Sequence, residues 1–276
     1  MNDKCGVAIL TYNRPEYFKE VLASIPRNMV DELVIVNDGT PYNDINLEKD
    51  IELIQHPNNQ GVAISKNDAI HSLMNKGCAH LFLIEDDIVI KNPEVFNEYV
   101  RHAKVSGIYH LNFEQVTNNP RRLVFSYGDN IDIALYRNPW ASFSYIFANI
   151  ISKLGAFDIN YKNAFEHIEF AYRLIRNGLM PPFWYFPDIL NSNDYLEAIK
   201  GSIENSTITD QPDYQKNYNI SAQHFIQAHG HFTSQIADVP SNKALARLQQ
   251  IQKIYGKKEP QESTALQIIK PNEYNR

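Results

Sequence analysis

Cysteine is scarce in this sequence: Cys5 and Cys78 are the only two among 276 residues. Two thiols so widely spaced make neither a zinc knuckle nor a disulfide framework, and their scarcity suits a reducing cytoplasm. The Asn205-Ser206-Thr207 and Asn219-Ile220-Ser221 sequons are then chance matches. No apolar run reaches the length of a membrane-spanning helix, and the start of the chain lacks the basic-then-apolar pattern of a secretory leader. Positive charge is not in surplus. The net charge is −6 and the pI about 5.8, which argues against nucleic acid as the main partner, because phosphate binding needs a clustered basic surface. Repeats and low-complexity tracts are absent. With 43% hydrophobic and 12% aromatic residues, the chain is equipped to bury a sizeable core rather than remain disordered.

Apolar runs and helical patterns alternate through the first hundred residues. Val7 to Leu10 is a short apolar run closed by Asn13, Arg14 and Pro15, the pattern of a buried strand ending in a loop. Pro15 opens a helix well, since its missing N–H is not needed there; Tyr17, Phe18, Val21, Leu22 and Ile25 follow at helical spacing before Pro26. Leu33 to Val36 reads as a second strand, Ile51 to Ile54 as a weak third, residues 62 to 75 as a helix, and Leu81 to Ile84 as the most apolar strand. Such alternation means crossover units and a mainly parallel sheet with helices on both faces, an α/β class. Ligands bind beyond the carboxyl ends of such strands. There the sequence places three polar loops: Thr11 to Arg14, Asn37 to Thr40, and Glu85 to Asp87.

The second half is less regular. Strands are expected at Gly107 to Phe113, Leu123 to Tyr127 and Ile131 to Tyr136, and a helix from Phe165 to Asn177 ended by Gly178. Asn191 to Lys216 is polar with few apolar anchors and reads as one long loop, the kind that serves as a lid. Ser241 to Tyr255 carries Ala244, Leu245, Leu248, Ile251 and Ile254 on one stripe. The expectation is a last helix packed on the body, peripheral contact of its basic residues with anionic lipid being the alternative.

The most informative element is Glu85-Asp86-Asp87 at the end of the most hydrophobic strand. Three adjacent carboxylates repel one another by about 1 kcal/mol per close pair even in water. A hard divalent cation, Mn²⁺ or Mg²⁺, removes that repulsion; a charged loop or helix cap remains the other reading. Trp140, Phe143 and Tyr145 offer flat rings for a sugar face, with core packing the alternative, more so for Phe143.

These residues resemble glycosyltransferase family 2. Val7 to Pro15 is similar to the family's opening strand, and Val34-Ile35-Val36-Asn37-Asp38-Gly39-Thr40 to its apolar strand followed by Asp-Asp-Gly-Ser. Asn59-Gln60-Gly61 followed by Ser65-Lys66-Asn67 resembles its Asn-x-Gly and Ala-Arg-Asn stretch, and Glu85-Asp86-Asp87 its Asp-x-Asp element. Gly155-Ala156-Phe157-Asp158, with Phe165-Glu166-His167-Ile168-Glu169 and Tyr172-Arg173-Leu174, resembles its Gly-x-Phe-Asp and Glu-Asp blocks. The motifs run in the family's order from about residue 6 to about 180.

The resemblance implies a GT-A fold, with residues 1–235 as the catalytic domain and 236–276 as a C-terminal helical tail. Within that domain, residues 1–100 are the nucleotide-sugar half and 101–235 the acceptor half. It implies transfer of a sugar from a UDP-sugar donor to a hydroxyl of a glycan acceptor, with inversion, in capsule or lipopolysaccharide synthesis. Thr11, Tyr12 and Arg14 would border the uracil and ribose, Asp38 would accept a hydrogen bond from them, and Lys66 would face the diphosphate. Asp87 would bind the metal, with Asp86 beside the ribose or the metal's water shell and Glu85 in support. Where the family carries Glu-Asp, this chain has Glu166-His167, so the catalytic base is one of these two; imidazole can take a proton near neutral pH. Glu169, one helical turn on, would orient a partner. Related enzymes of this fold supply a histidine from the C-terminal region to the metal. His229 and His231, alternating in an extended segment, would then share a face, His224 being a further candidate.

Two other functions use the same architecture. A sugar-nucleotide nucleotidyltransferase opens with a Gly-rich loop bearing Arg and Lys, which Val7 to Pro15 lacks. A non-catalytic glycan-binding module or decayed transferase is compatible with His167 in place of Asp. A dinucleotide-binding enzyme is disfavoured, because no Gly-x-Gly-x-x-Gly follows the first strand.

Overall fold

A computed structural model describes residues 4–43, 45–114, 120–202 and 205–256. The apolar runs of the first half become strands because a parallel sheet covered on both faces buries its central strands from both sides. In chain order these elements are β1 (Cys5–Thr11), α1 (Pro15–Ser24), β2 (Glu32–Asn37), β3 (Glu52–Gln55), α2 (Val62–Asn75) and β4 (His80–Glu85). There follow β5 (Ile88–Ile90), α3 (Val95–Ser106), β6 (His110–Asn112), β7 (Arg121–Ser126), β8 (Asp132–Tyr136), β9 (Phe143–Phe147) and α4 (Ala148–Leu154). The chain continues through α5 (Glu166–Arg176), β10 (Phe186–Ile189), β11 (Leu196–Ala198), α6 (Tyr214–His229) and α7 (Ser241–Tyr255).

The main sheet has the order β3-β2-β1-β4-β9-β6. β1, β2, β3 and β4 are parallel, and β9 runs against both of its neighbours. Register brings the functional loops together: Thr11 lies opposite Asn37 and Leu10 opposite Glu85, so the three polar loops leave one edge side by side. Asp38 N–H donates to Thr11 O at 3.0 Å and closes that edge. Phe82, fully buried, packs among Phe96, Tyr99, Phe143 and Tyr145 with ring centroids 4.8 to 6.4 Å apart. β10-β8-β7 form a small antiparallel sheet, and β11 pairs with β5. α7 buries Ala244, Leu248, Ile251 and Tyr255 and lies against α3.

Three expectations of the second half differ from what is observed. Phe143–Phe147 is a buried antiparallel strand inserted between β4 and β6. Asn191 to Lys216 is not one long loop, because buried Leu196 anchors β11 against β5 and α6 begins at Tyr214. His229 is the last helical residue of α6, and Gly230 follows at φ 80°. The His229-Gly230-His231 segment is therefore a left-handed helix end, not an extended strand whose alternate residues share a face. The boundary proposed at residue 236 precedes α7, and residues 257–276 lie outside the described residues.

The approach to α5 is pinned from α2. Asn67 Nδ2 donates to Phe157 O at 2.8 Å and its Oδ1 accepts from Phe157 N–H at 2.9 Å, with both residues buried. Asn67→Ala leaves two buried backbone groups unpaired and is expected to cost roughly 2 kcal/mol. A lowered urea midpoint at unchanged slope checks this; an unchanged midpoint would contradict it.

Candidate active site

The rim of the sheet is built around buried carboxylates. Asp86 and Asp87 occupy the turn after β4, and both are buried. Asp86 Oδ2 accepts from Thr11 Oγ1 at 2.6 Å and from Tyr12 N–H at 3.2 Å, and its Oδ1 is paired with Arg14 Nη2. Burial raises the Asp86 pKa, and Arg14 and Thr11 offset part of that rise. Asp86 is thus tied to the first loop. Asp87 is held more loosely. Its Oδ2 lies 3.9 Å from Arg14 Nη2, and its Oδ1 is buried with no hydrogen-bond partner. Burial first, then the charge of Glu85, pushes its pKa up to about 7.

Lys66 connects this rim to α5. It is 1% exposed, and its Nζ lies 3.1 Å from Glu85 Oε1 and 3.4 Å from Glu166 Oε1. Where a diphosphate contact is the expectation, its charge is paired with two carboxylates. Burial alone would lower the lysine pKa, but Glu85 and Glu166 outweigh it and raise it. Glu166 is likewise buried, which would raise its pKa. His167 and Lys66 beside it outweigh that effect and hold the carboxyl well below its ordinary range. His167 Nδ1 lies 3.2 Å from Glu166 Oε1, and the imidazole is about a quarter exposed. Glu166 and His167 open the first turn of α5, where negative charge is favoured by the helix dipole. Phe165 precedes them at φ 70°, a left-handed conformation that costs a bulky residue about 1–3 kcal/mol. Its buried ring, packed against Tyr218, Phe225 and Phe232, holds it there.

Glu85, Trp140, Glu166 and His167 line one cleft of about 460 Å³, floored by Phe165, Tyr214, Tyr218 and Phe232. Next to it, Thr11, Tyr12, Arg14, Asp38, Glu85 and Asp86 line a small cavity of about 50 Å³, with Thr207 and Ile208 also in its wall. Thr207 Oγ1 donates to Tyr12 O at 3.3 Å. Asp38 borders this cavity, but its carboxylate already accepts from Gln60 N–H at 2.7 Å and Gly61 N–H at 2.8 Å, and pairs with His56 Nδ1 at 2.7 Å. Gly61 sits at φ 96°, and a Cβ there would strike Lys162 O, so only glycine serves this turn.

Tyr145 does not belong to the site. It is fully buried on β9, with its hydroxyl 2.9 Å from His80 Nδ1. The three histidines lie on α6 and just after it. His229 packs against Tyr172 and Phe225, its Nε2 3.7 Å from Glu169 Oε1, and burial with nearby Arg176 lowers its pKa to about 4. His231 Nε2 lies 3.1 Å from Tyr172 Oη, and His224 Nε2 lies 2.9 Å from Asp158 Oδ2. They join α6 to α5 and its approach. Among the described residues no group of three or more His, Cys, Asp or Glu could hold a metal ion by itself. A cation that takes most ligands from phosphate and water needs only one or two carboxylates, and the unpartnered, buried Asp87 Oδ1 fits that demand.

Several residues in and behind the site were not anticipated. Tyr42 Oη lies 2.9 Å from Thr11 Oγ1 and accepts from Arg14 N–H at 3.0 Å, and His56 braces Asp38. Tyr214, Tyr218 and Phe232 come from the segment read as loop or left unread. Tyr218, Ser221, Ala222 and Phe225 carry the i, i+3, i+4, i+7 spacing that marks a helix face.

The sequence model of a family described as "Glycosyl transferase family 2" matches residues 6–153, more than half of the chain. No curated protein matches the chain. Among solved structures, the chain is similar to Staphylococcus aureus TarS at 15% identity and a TM-score of 0.51. That match covers 84% of this chain and 44% of TarS, so the chain spans less than half the length of that relative. It is also similar to S. aureus TarS 1-349 in complex with UDP-GlcNAc, at 15% identity and a TM-score of 0.52, covering 98% of this chain and 77% of that one. These likenesses show the fold.

Proposed function

The chain belongs to glycosyl transferase family 2, and from that premise we propose that it moves a sugar from a UDP-sugar to a hydroxyl of a glycan acceptor, with inversion, His167 serving as the base. The observation that carries this reading is the continuity of the site. Lys66 ties the acidic rim to Glu166, and Glu85, Glu166 and His167 share one cleft with Trp140. TarS 1-349 was solved with UDP-GlcNAc, which supports a uridine nucleotide as the donor class.

Each residue then has a chemical task. Thr11 and Tyr12 fix Asp86 beneath the nucleotide. Asp87 would hold a divalent cation, which neutralises charge on the diphosphate leaving group. Glu166 accepts the Nδ1 proton of His167 in a hydrogen bond, so Nε2 is the nitrogen free to take a proton. His167 removes the acceptor hydroxyl proton as that oxygen bonds to the anomeric carbon. The bond from that carbon to the diphosphate oxygen breaks, and UDP leaves. Trp140 offers a flat face to a sugar ring. Depressed in pKa and paired with Lys66, Glu166 is a poor base but a good orienting group.

His167→Ala is expected to lower kcat about 100-fold with the KM for the UDP-sugar little changed. UDP release from a panel of UDP-sugars, with and without sugar acceptors, is the measurement. Normal turnover in this variant would remove His167 as the base. Nucleotide binding without turnover in the unaltered protein would favour a binding module.

A further inference from the structure

We propose that Arg14 is a resident cation that occupies the acidic rim until a divalent ion displaces it, and that it then turns to the diphosphate of the donor. The proposal rests on the reading of Asp87 as the cation ligand. Arg14 was expected beside uracil or ribose. Its guanidinium instead pairs with Asp86 through Nη2 and lies 3.9 Å from Asp87 Oδ2 through the same nitrogen. Its other terminal nitrogen makes a long hydrogen bond to Ser202 O at 3.4 Å, and the guanidinium lies 5.4 Å from the centre of the Tyr17 ring.

The arrangement is incomplete in a complementary way. Arg14 Nε is a buried donor without a hydrogen-bond partner, and Asp87 Oδ1 is a buried acceptor without one. Buried polar groups are normally paired, and these two are not placed to satisfy each other. A divalent ion satisfies Asp87, and a diphosphate oxygen satisfies Arg14, for which phosphate is a natural partner. Both defects vanish together when nucleotide and ion arrive as a pair. Asp86 keeps Thr11 Oγ1 and Tyr12 N–H as donors when Arg14 leaves, so the exchange strands no carboxylate. Arg14 stays tethered by its backbone N–H to Tyr42 Oη at 3.0 Å, which lets the side chain pivot about a fixed point. The free protein is then a weak metal binder because its own cation repels the incoming one.

Mn²⁺ alone, titrated into metal-free protein and followed by the loss of the free-ion EPR signal, tests this in the unaltered chain, Arg14→Gln, Arg14→Lys and Asp87→Asn. Arg14→Gln is expected to bind Mn²⁺ at least tenfold more tightly than the unaltered chain, with Arg14→Lys between them. UDP is expected to tighten Mn²⁺ binding strongly in the unaltered chain and less in Arg14→Gln. In ¹⁵N-arginine-labelled protein, the Nε–Hε resonance missing from Arg14→Lys is expected to shift on addition of Mg²⁺ with UDP, a readout that needs no Gln variant. Equal or weaker Mn²⁺ binding in Arg14→Gln, or an unmoved Arg14 resonance, overturns the proposal while Asp87→Asn can still report loss of metal. No Mn²⁺ binding by any of the proteins, with or without UDP, overturns the metal reading of Asp87 as well.

Discussion

Lys66→Met is expected to destabilise the protein by about 3–5 kcal/mol, the usual cost of leaving a buried charge without its partner. The substitution roughly keeps the length of the side chain and removes the charge that the structure sets between Glu85 and Glu166, 3.1 and 3.4 Å away. Glu166 has no solvent to turn to, being buried. Urea unfolding at pH 7 measures the loss. The double variant Lys66→Met with Glu166→Gln is expected to recover much of it, because the stranded carboxylate is gone; failure to recover would show that the lysine acts by packing alone. The pH dependence follows. The folded-state pKa of Glu166 is depressed, so its contribution is present above the unfolded carboxyl pKa, about 4.3, and is lost as pH falls towards the lower folded value. The gap between the unaltered chain and Lys66→Met should therefore narrow on acidification below about pH 4.

Asp87→Asn is expected to do opposite things to activity and stability. Removing the carboxylate that would hold the cation should lower kcat on the order of 1000-fold, since a metal contributes several kcal/mol to stabilising the leaving group. The same change should stabilise the metal-free fold at pH 8. Burial and Glu85 raise the Asp87 pKa from 3.8 to about 7, so the folded state holds its proton more tightly than the unfolded chain. Stability from this group is full below the unfolded pKa and declines as pH rises through the folded value. A shift of that size corresponds to at most roughly 4 kcal/mol, and relaxation around the site should leave about 2 kcal/mol. Thermal unfolding of both proteins at pH 4.5 and pH 8, without metal, checks the sign: the variant should gain mainly at pH 8. A variant less stable at pH 8 would mean that the Asp87 carboxylate is satisfied by partners in the fold. A site that costs its own fold stability in this way is the expected exchange between function and stability.

The first half of the fold was legible because its strands are buried on both faces and read as continuous apolar runs. Val7 to Leu10, Leu33 to Val36 and Leu81 to Ile84 announce β1, β2 and β4, and the parallel register then forces their polar ends together. The second half was less so. Phe143–Phe147 is buried at every position, so no polar alternation marks it, and Tyr145 looked like a sugar platform when it is an interior residue bonded to His80. α6 buries only Ser221 and Phe225, too narrow a stripe to stand out among Asn, Gln and Lys.

Charge could be read where its environment could not. The sequence marks Glu85-Asp86-Asp87 and Glu166-His167 as chemically unusual, but the lysine that joins them lies 100 residues from Glu166 in the chain. Spacing alone cannot tell a lysine that faces phosphate from one enclosed between two acids. His229 and His231 failed for a related reason. Their separation by one glycine suggests a shared face only in an extended chain, and Gly230 in fact ends a helix.

Diffraction from crystals of this protein grown with UDP and Mn²⁺, recorded with anomalous signal from manganese, tests the central assignment most directly. The expected result is a manganese peak at Asp87, with the nucleotide bound at the same rim beside the cleft that His167 lines. A nucleotide bound elsewhere, or bound here with Asp87 far from any ion, would contradict it.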